Sequence, residues 1–179
     1  MTPSWPPEAF HPTLKIDGCC RKTLARGLEY VWIDSICIDK SSSAELSEAI
    51  NSMYNWYRKS RVCFVYLSGV SSDANTPIDD IANSNSDFCC SRWFTRGWTL
   101  QELIAPSNVV FYNRRWDFIG YKYVFGWGDV ISKGGEQSGQ VSILTVLRQI
   151  INIPVDVLVG YTHPKSVSIA TRMMWAARR

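Results

Sequence analysis

Residues 92–103 read RWFTRGWTLQEL, a mixture of types that packing alone does not explain. A core has no use for the arginines, and a solvated face has no use for the tryptophans. The apolar spacing of Leu100, Leu103 and Ile104 predicts a helix over 98–105, entered sharply at Gly97 and closed by Pro106. On it, Trp98 and Glu102 stand four residues apart and share the face opposite the apolar one. An indole beside a carboxylate makes a pocket that is both apolar and anionic, suited to a cationic aromatic group or a ribose. A partly desolvated carboxylate also stabilises developing positive charge, as in the oxocarbenium-like transition state of glycosidic cleavage.

Asp34 is the second candidate, with Ser35 after it. The stretch YVWID at 30–34 is β-branched and aromatic, which predicts a central strand covered on both faces. Asp34 would then stand at the carboxyl end of a parallel strand, where open α/β sheets bind ligands. Each of these residues also has a structural use. Thr99 and Glu102 have capping-box spacing, Arg92 or Arg96 could pair with Glu102, and Trp98 could be a core residue. Asp34 and Asp39 could organise a loop through Asx turns, and Glu45 is explained by a cap. Spacing alone favours the structural roles. Cys37 or Cys63 could be drawn with His163 as nucleophile and base, but nothing local activates either thiol. The glycines at 126–139 match neither dinucleotide nor phosphate-loop patterns.

The elements that must position these groups are legible at several places. Residues 19–28 have helical spacing, with Gly27 as the stop. In SSAELSEAINSMYNWYRKS, residues Leu46, Ala49, Ile50, Met53, Tyr54 and Tyr57 form one stripe. Ser42 and Glu45 fit a capping box at its start. RVCFVYL at 61–67 predicts a buried strand, completing a strand–helix–strand unit with YVWID and hence a parallel sheet. Residues 68–90 read as a long polar loop, of the kind that is functional or mobile, and NVVFYN at 108–113 as a third strand. RRWDFIG reads as a turn into further helix, and 120–140 as a glycine-rich loop. Two helices, in VSILTVLRQIIN and SVSIATRMMWAARR, follow around a proline-bearing connection.

The composition narrows the classes. A chain of 179 residues with 46% apolar residues is long enough for one domain with a sizeable core. The net charge of +3 is mild and its lysines and arginines are scattered, which argues against a nucleic-acid partner. The apolar runs are too short to span a bilayer and the N-terminus lacks the layout of a signal peptide, so a cytoplasmic, membrane-free protein is expected. The six cysteines and two histidines have no metal-ligand spacing, and reduced thiols are expected.

Two long strings, YVWIDSICIDKSSSAELSEAINSMYNWYRKSRVCFVYL and SRWFTRGWTLQELIAPSNVVFYNRRWDFIG, resemble the HET domain of fungal heterokaryon incompatibility proteins. The resemblance runs over 15–119, weakest at 68–90, and resumes in the C-terminal helix. Together with the prolines and glycines outside it, this gives an expected disordered tail over 1–14, a HET core over 15–119, a loop-rich insert at 120–140 and a helical part over 141–179. The family is similar to the Toll/interleukin-receptor (TIR) superfamily, which implies a flavodoxin-like α/β fold with a parallel sheet flanked by helices. WID, AINSMYNWY, VCFVYL and WTLQEL occur in the TIR order. Carried over from NAD-cleaving TIR domains, the catalytic carboxylate falls on Glu102, with Trp98 beside it; Trp98, Asp34 and Ser35 are the residues expected to contact NAD. The resemblance thus reverses the order that spacing gives for Glu102.

NAD is then a substrate, and no separate cofactor is implied. The implied role is fungal innate immunity and programmed cell death, with other HET or death-signalling proteins, or self-association, as partnerships. A non-catalytic interaction module and an inactive fragment are the alternatives. The family's usual first strand is replaced by a proline-rich tail, and its usual block after WAARR is absent, so truncation at both ends is expected.

Overall fold

The computed structural model describes residues 12–123 and 142–177. The expected tail over 1–11 and most of the expected insert, 124–140, lie outside the described residues.

Three strands form one sheet in the order β1-β2-β3: β1 (Cys63–Tyr66), β2 (Asn108–Tyr112) and β3 (Phe118–Tyr123). β1 and β2 are parallel, with Cys63 opposite Val109 and Tyr66 opposite Tyr112. β3 returns antiparallel to β2, with a register irregularity between Phe111 and Tyr112. All five residues of β2 are buried, as befits a central strand covered on both faces. The two-residue period of a strand sorts its side chains into separate cores. Cys63, Val65, Val109, Phe111 and Ile119 face the larger one, where a fully buried valine or phenylalanine contributes roughly 1.5–3 kcal/mol. Val110, Tyr112 and Phe118 face the smaller one, joined by Cys19.

Helices cover both faces, giving a mixed α/β architecture. α1 (Pro12–Ala25) lies on the smaller core and stops where Gly27 takes φ +68. The larger core receives α4 (Ile78–Ala82), α5 (Thr99–Ile104), α6 (Leu144–Ile151), α7 (Val155–Leu158) and α8 (Ile169–Ala177). α2 (Asp34–Cys37) is a single turn, and α3 (Ser43–Lys59) packs against α5. Ala49 and Met53 of α3 close a third cluster with Ile38, flanked by Trp32, Leu46 and Tyr57. The cap of α3 is half the expected box. Ser42 Oγ accepts from the Glu45 N–H at 3.3 Å, but the Glu45 carboxylate reaches past Ser42 to the Asp39 N–H at 2.9 Å.

Four expectations need correction. YVWID forms no strand: Tyr30 is 88% exposed, and Asp34 opens α2 instead of closing a strand. Strand propensity reports fitness for a half-buried pleated surface, and among the described residues no strand pairs with this stretch. Trp32 packs edge-on to Trp56 and Tyr57, and Ile33 packs against the smaller core. The parallel pair is therefore β1 with β2, and the crossover between them is the whole segment 67–107. In α3, Ile50 departs from the predicted stripe and is exposed.

The segment after β2 turns into β3 and not into a helix. Asn113 Oδ1 accepts from the N–H groups of Arg115 and Asp117, and Trp116 takes φ +64, closing a hairpin that claims residues 120–123 from the expected insert. Residues 68–90, expected as a loop, are packed: Ile81 and Phe88 are buried, and the Asp87 carboxylate accepts from Ser71 and Ser72. Those bonds hold Asp87 below the usual carboxylate range against the opposing effect of its burial. At the far side of the sheet, a Cβ on Gly18 would sit 2.0 Å from the Trp116 indole, so glycine is what lets α1 rest on that ring. No helix of the described residues is long and apolar enough to cross a membrane.

Candidate functional site

The 92–103 stretch becomes a 3-10 turn (Arg92–Thr95) followed by α5. Ser91 caps the turn by accepting from the Trp93 N–H at 3.4 Å. Leu103 anchors α5 in the larger core, with Leu100 and Ile104 packed beside it. The capping box open to Thr99 and Glu102 is not made. The Thr99 hydroxyl lies 2.8 Å from the carbonyl of Trp93 and 2.5 Å from that of Arg96, tying α5 back to the turn before it.

Glu102 is half-buried between α5, α3 and α2. Burial pushes its proton affinity above the ordinary glutamate value, and the Asp34 carboxylate pushes it further. The side-chain hydrogen bond from Trp93, then Lys15 and Arg96, act in the opposite sense. Tyr57, in the last turn of α3, is driven far above the usual phenol range, first by its own burial and then by Glu102. Cys63, the first residue of β1, is likewise raised by burial and by Glu102, and it remains a protonated thiol. The acid thus neighbours the amino end of β1.

Trp98 occupies the N-cap position of α5 and is 51% exposed, so its ring is open to solvent. Asp34 and Ser35 are both exposed on α2. The structure brings Asp34 into electrostatic range of Glu102, although through a helical turn and not through a strand end. Ser35 makes no side-chain hydrogen bond among the described residues. The thiol–histidine alternative is not assembled: the His163 ring accepts from the Lys165 N–H at 3.0 Å and caps a 3-10 turn at Pro164–Ser166. No cluster of metal-ligating side chains occurs among the described residues. A cavity of about 310 Å³ opens between α6 and α7, beside Arg148 and Asp156, and Glu102 does not line it.

Three contributors escaped the sequence reading. Tyr57 was assigned only to a packing stripe, and Trp93 was not separated from its neighbours. Lys122, on β3, is 1% exposed, and its Nζ donates to the carbonyls of Leu103 at 2.6 Å and Pro106 at 2.8 Å. It closes the carboxyl end of the Glu102 helix from another element, satisfying carbonyls left without helical partners. Burial pushes it down to about 7.

Comparison with known families now bears on this arrangement. The family model for the heterokaryon incompatibility protein (HET) matches residues 7–89. The vegetative incompatibility protein HET-E-1 of Podospora anserina is 37% identical over 165 residues, covering 92% of this chain. The chain carries a HET domain. Its match spans 11% of the length of HET-E-1, so the relative is a far larger protein. No solved structure matches the chain significantly. The family match ends ahead of α5, whereas the alignment with HET-E-1 covers most of this chain.

Proposed function

We propose that this HET domain acts in heterokaryon incompatibility and the associated cell-death signalling, and that it does so by cleaving the nicotinamide–ribose bond of NAD. The observation that carries the chemical part is a half-buried carboxylate, Glu102, free of its own helix cap and next to a second acid. In this reaction the glycosidic C–N bond breaks and its electron pair leaves with neutral nicotinamide, so no general acid is needed. Ionised Glu102 stabilises the ribosyl cation, water adds to the anomeric carbon, and the released proton passes to the carboxylate and then to solvent. Trp98 supplies a solvent-open ring face for the nicotinamide, and Asp34 and Ser35 supply polar groups for the ribose. The wider assignment rests on similarity to HET-E-1, whose name states vegetative incompatibility.

Nicotinamide release from NAD by the purified chain is the test. Glu102→Gln should lower turnover by roughly 10²–10³-fold while the far-ultraviolet circular dichroism stays unchanged. Turnover should also rise with pH through a midpoint above that of an ordinary glutamate, since the ionised form is the active one. Unchanged turnover in the variant would remove Glu102 from the chemistry. No release by the intact chain would favour a docking module, a reading supported by the exposed Ile169, Met173 and Met174 on α8.

A further inference from the structure

The helix that carries Glu102 has six residues, Thr99–Ile104, whereas an isolated helix is marginal in water below about 12–15 residues. Its geometry is set from outside, at both ends. At the amino end, the buried Thr99 hydroxyl lies 2.8 Å from the Trp93 carbonyl and 2.5 Å from that of Arg96. At the carboxyl end, the Lys122 Nζ donates to the carbonyls of Leu103 at 2.6 Å and Pro106 at 2.8 Å. Lys122 is in register with Val109 of β2, and Val109 with Cys63 of β1, a row of the sheet that faces the larger core. An amine buried there is costly unless its donors are used, and two of its three go to the end of α5. The Leu103 side chain is fully buried as well, so the residue after Glu102 is held by both side chain and carbonyl.

We propose that Lys122 is a positioning residue for Glu102: its ammonium ties the last turn of α5 to the sheet and so fixes the backbone from which the carboxylate projects. Thr99, three residues before Glu102, and Leu103, just after it, are both held, so the acid stands on a short span pinned on either side. A group that must meet developing charge loses much of its effect when displaced by even an ångström. Charged donors make the stronger hydrogen bonds, so the tie loosens when the amine gives up its proton. Burial brings that loss down to about 7, with Cys63 acting in the opposite sense. Cys63 of β1 is the titratable group that bears on Lys122, and Glu102 of α5 and Tyr57 of α3 stand next to Cys63 in turn. The catalytic consequence rests on the NAD reading, whereas the anchoring of Glu102 does not.

Nuclear magnetic resonance of the carbon-labelled intact chain, followed with pH, separates the two parts. As the Lys122 side-chain carbon titrates, the carbonyl carbons of Leu103 and Pro106 should step with it. The Glu102 carboxyl carbon should show a second step at that same midpoint, besides the step of its own ionisation. In Lys122→Met, which keeps the apolar stem and removes the donors, the second step should vanish. In the same variant kcat for nicotinamide release should fall roughly tenfold or more, with KM for NAD little changed. Carbonyls that step while the Glu102 carboxyl stays still would leave Lys122 a helix cap alone and overturn the proposal, as would carbonyls that do not step. An unchanged kcat in a folded Lys122→Met overturns it too. If that variant does not fold, the titration of the intact chain decides alone. Coupled steps without nicotinamide release would uphold the anchoring and remove the NAD reading. Release with a Glu102 carboxyl that ignores Lys122 would do the reverse.

Discussion

At the carboxyl end of the parallel pair, Tyr66 and Tyr112 meet Trp116, which stacks on Tyr66 at 4.8 Å and lies against the backbone of α1 at Gly18. At the amino end, the same two strands start among Cys63, Tyr57, Glu102 and Lys122. The first end is filled with stacked rings. The second holds ionisable groups that burial keeps from their ordinary protonation behaviour, Lys122 down and Glu102 up. Packed rings gather at one end, and ionisable groups at the other. Perturbed ionisation of this sort marks functional sites more often than packing sites, though structural networks produce it too.

Three substitutions sharpen that contrast. Trp116→Ala should have the largest effect, a loss of roughly 3–5 kcal/mol in urea denaturation, because it empties the filled end. A loss under roughly 1 kcal/mol would mean that α1 does not depend on that ring.

Lys122→Met should cost about 1–3 kcal/mol, since it leaves the Leu103 and Pro106 carbonyls without their donor. Its signature is the pH dependence. The folded-state value, about 7, lies below the ordinary 10.5, so the unfolded chain binds the extra proton between them. The stability that Lys122 contributes is complete above the ordinary value and is lost as pH falls towards the folded one. The gap between the native chain and the variant should therefore widen as pH rises through that window. A constant gap would mean that the amine titrates as if exposed.

Glu102→Gln should show the smallest change in stability, and in the opposite direction. A raised folded-state value means that the acid opposes folding once ionised, with any advantage confined to pH below its unfolded value. At neutral pH the glutamine variant should melt slightly higher than the native chain, with the difference vanishing in acid. A variant that gains stability at neutral pH while losing nicotinamide release would carry the stability–activity trade-off expected of a catalytic carboxylate.

Much of the frame was legible because its signals were local. The amphipathic stripe of α3, the short apolar runs of β1 and β2, and the helix of α5 all depend on residues close in sequence. What was not legible depends on partners far along the chain. YVWID has the composition of a strand, yet among the described residues no strand pairs with it. The hairpin after β2 is closed by Asn113 and by a tryptophan in a left-handed conformation, which composition does not announce. Within the site, the tyrosine whose ionisation Glu102 affects belongs to α3, and the lysine that ends the helix comes from β3. Helical spacing relates residues on one helix and is silent about both.

The seat of α1 has a bearing on the order of assembly. Gly18 meets Trp116, and Cys19 packs with Val110 and Phe118, so the first described helix has its landing place in the β2–β3 hairpin, most of the chain away. A helix synthesised early must wait on the ribosome until that hairpin emerges. Meanwhile its apolar side has nothing native to cover it, and such pairings between distant segments are slow to form. Among the described helices, α1 thus waits long for its partner, with its apolar side open to a chaperone meanwhile.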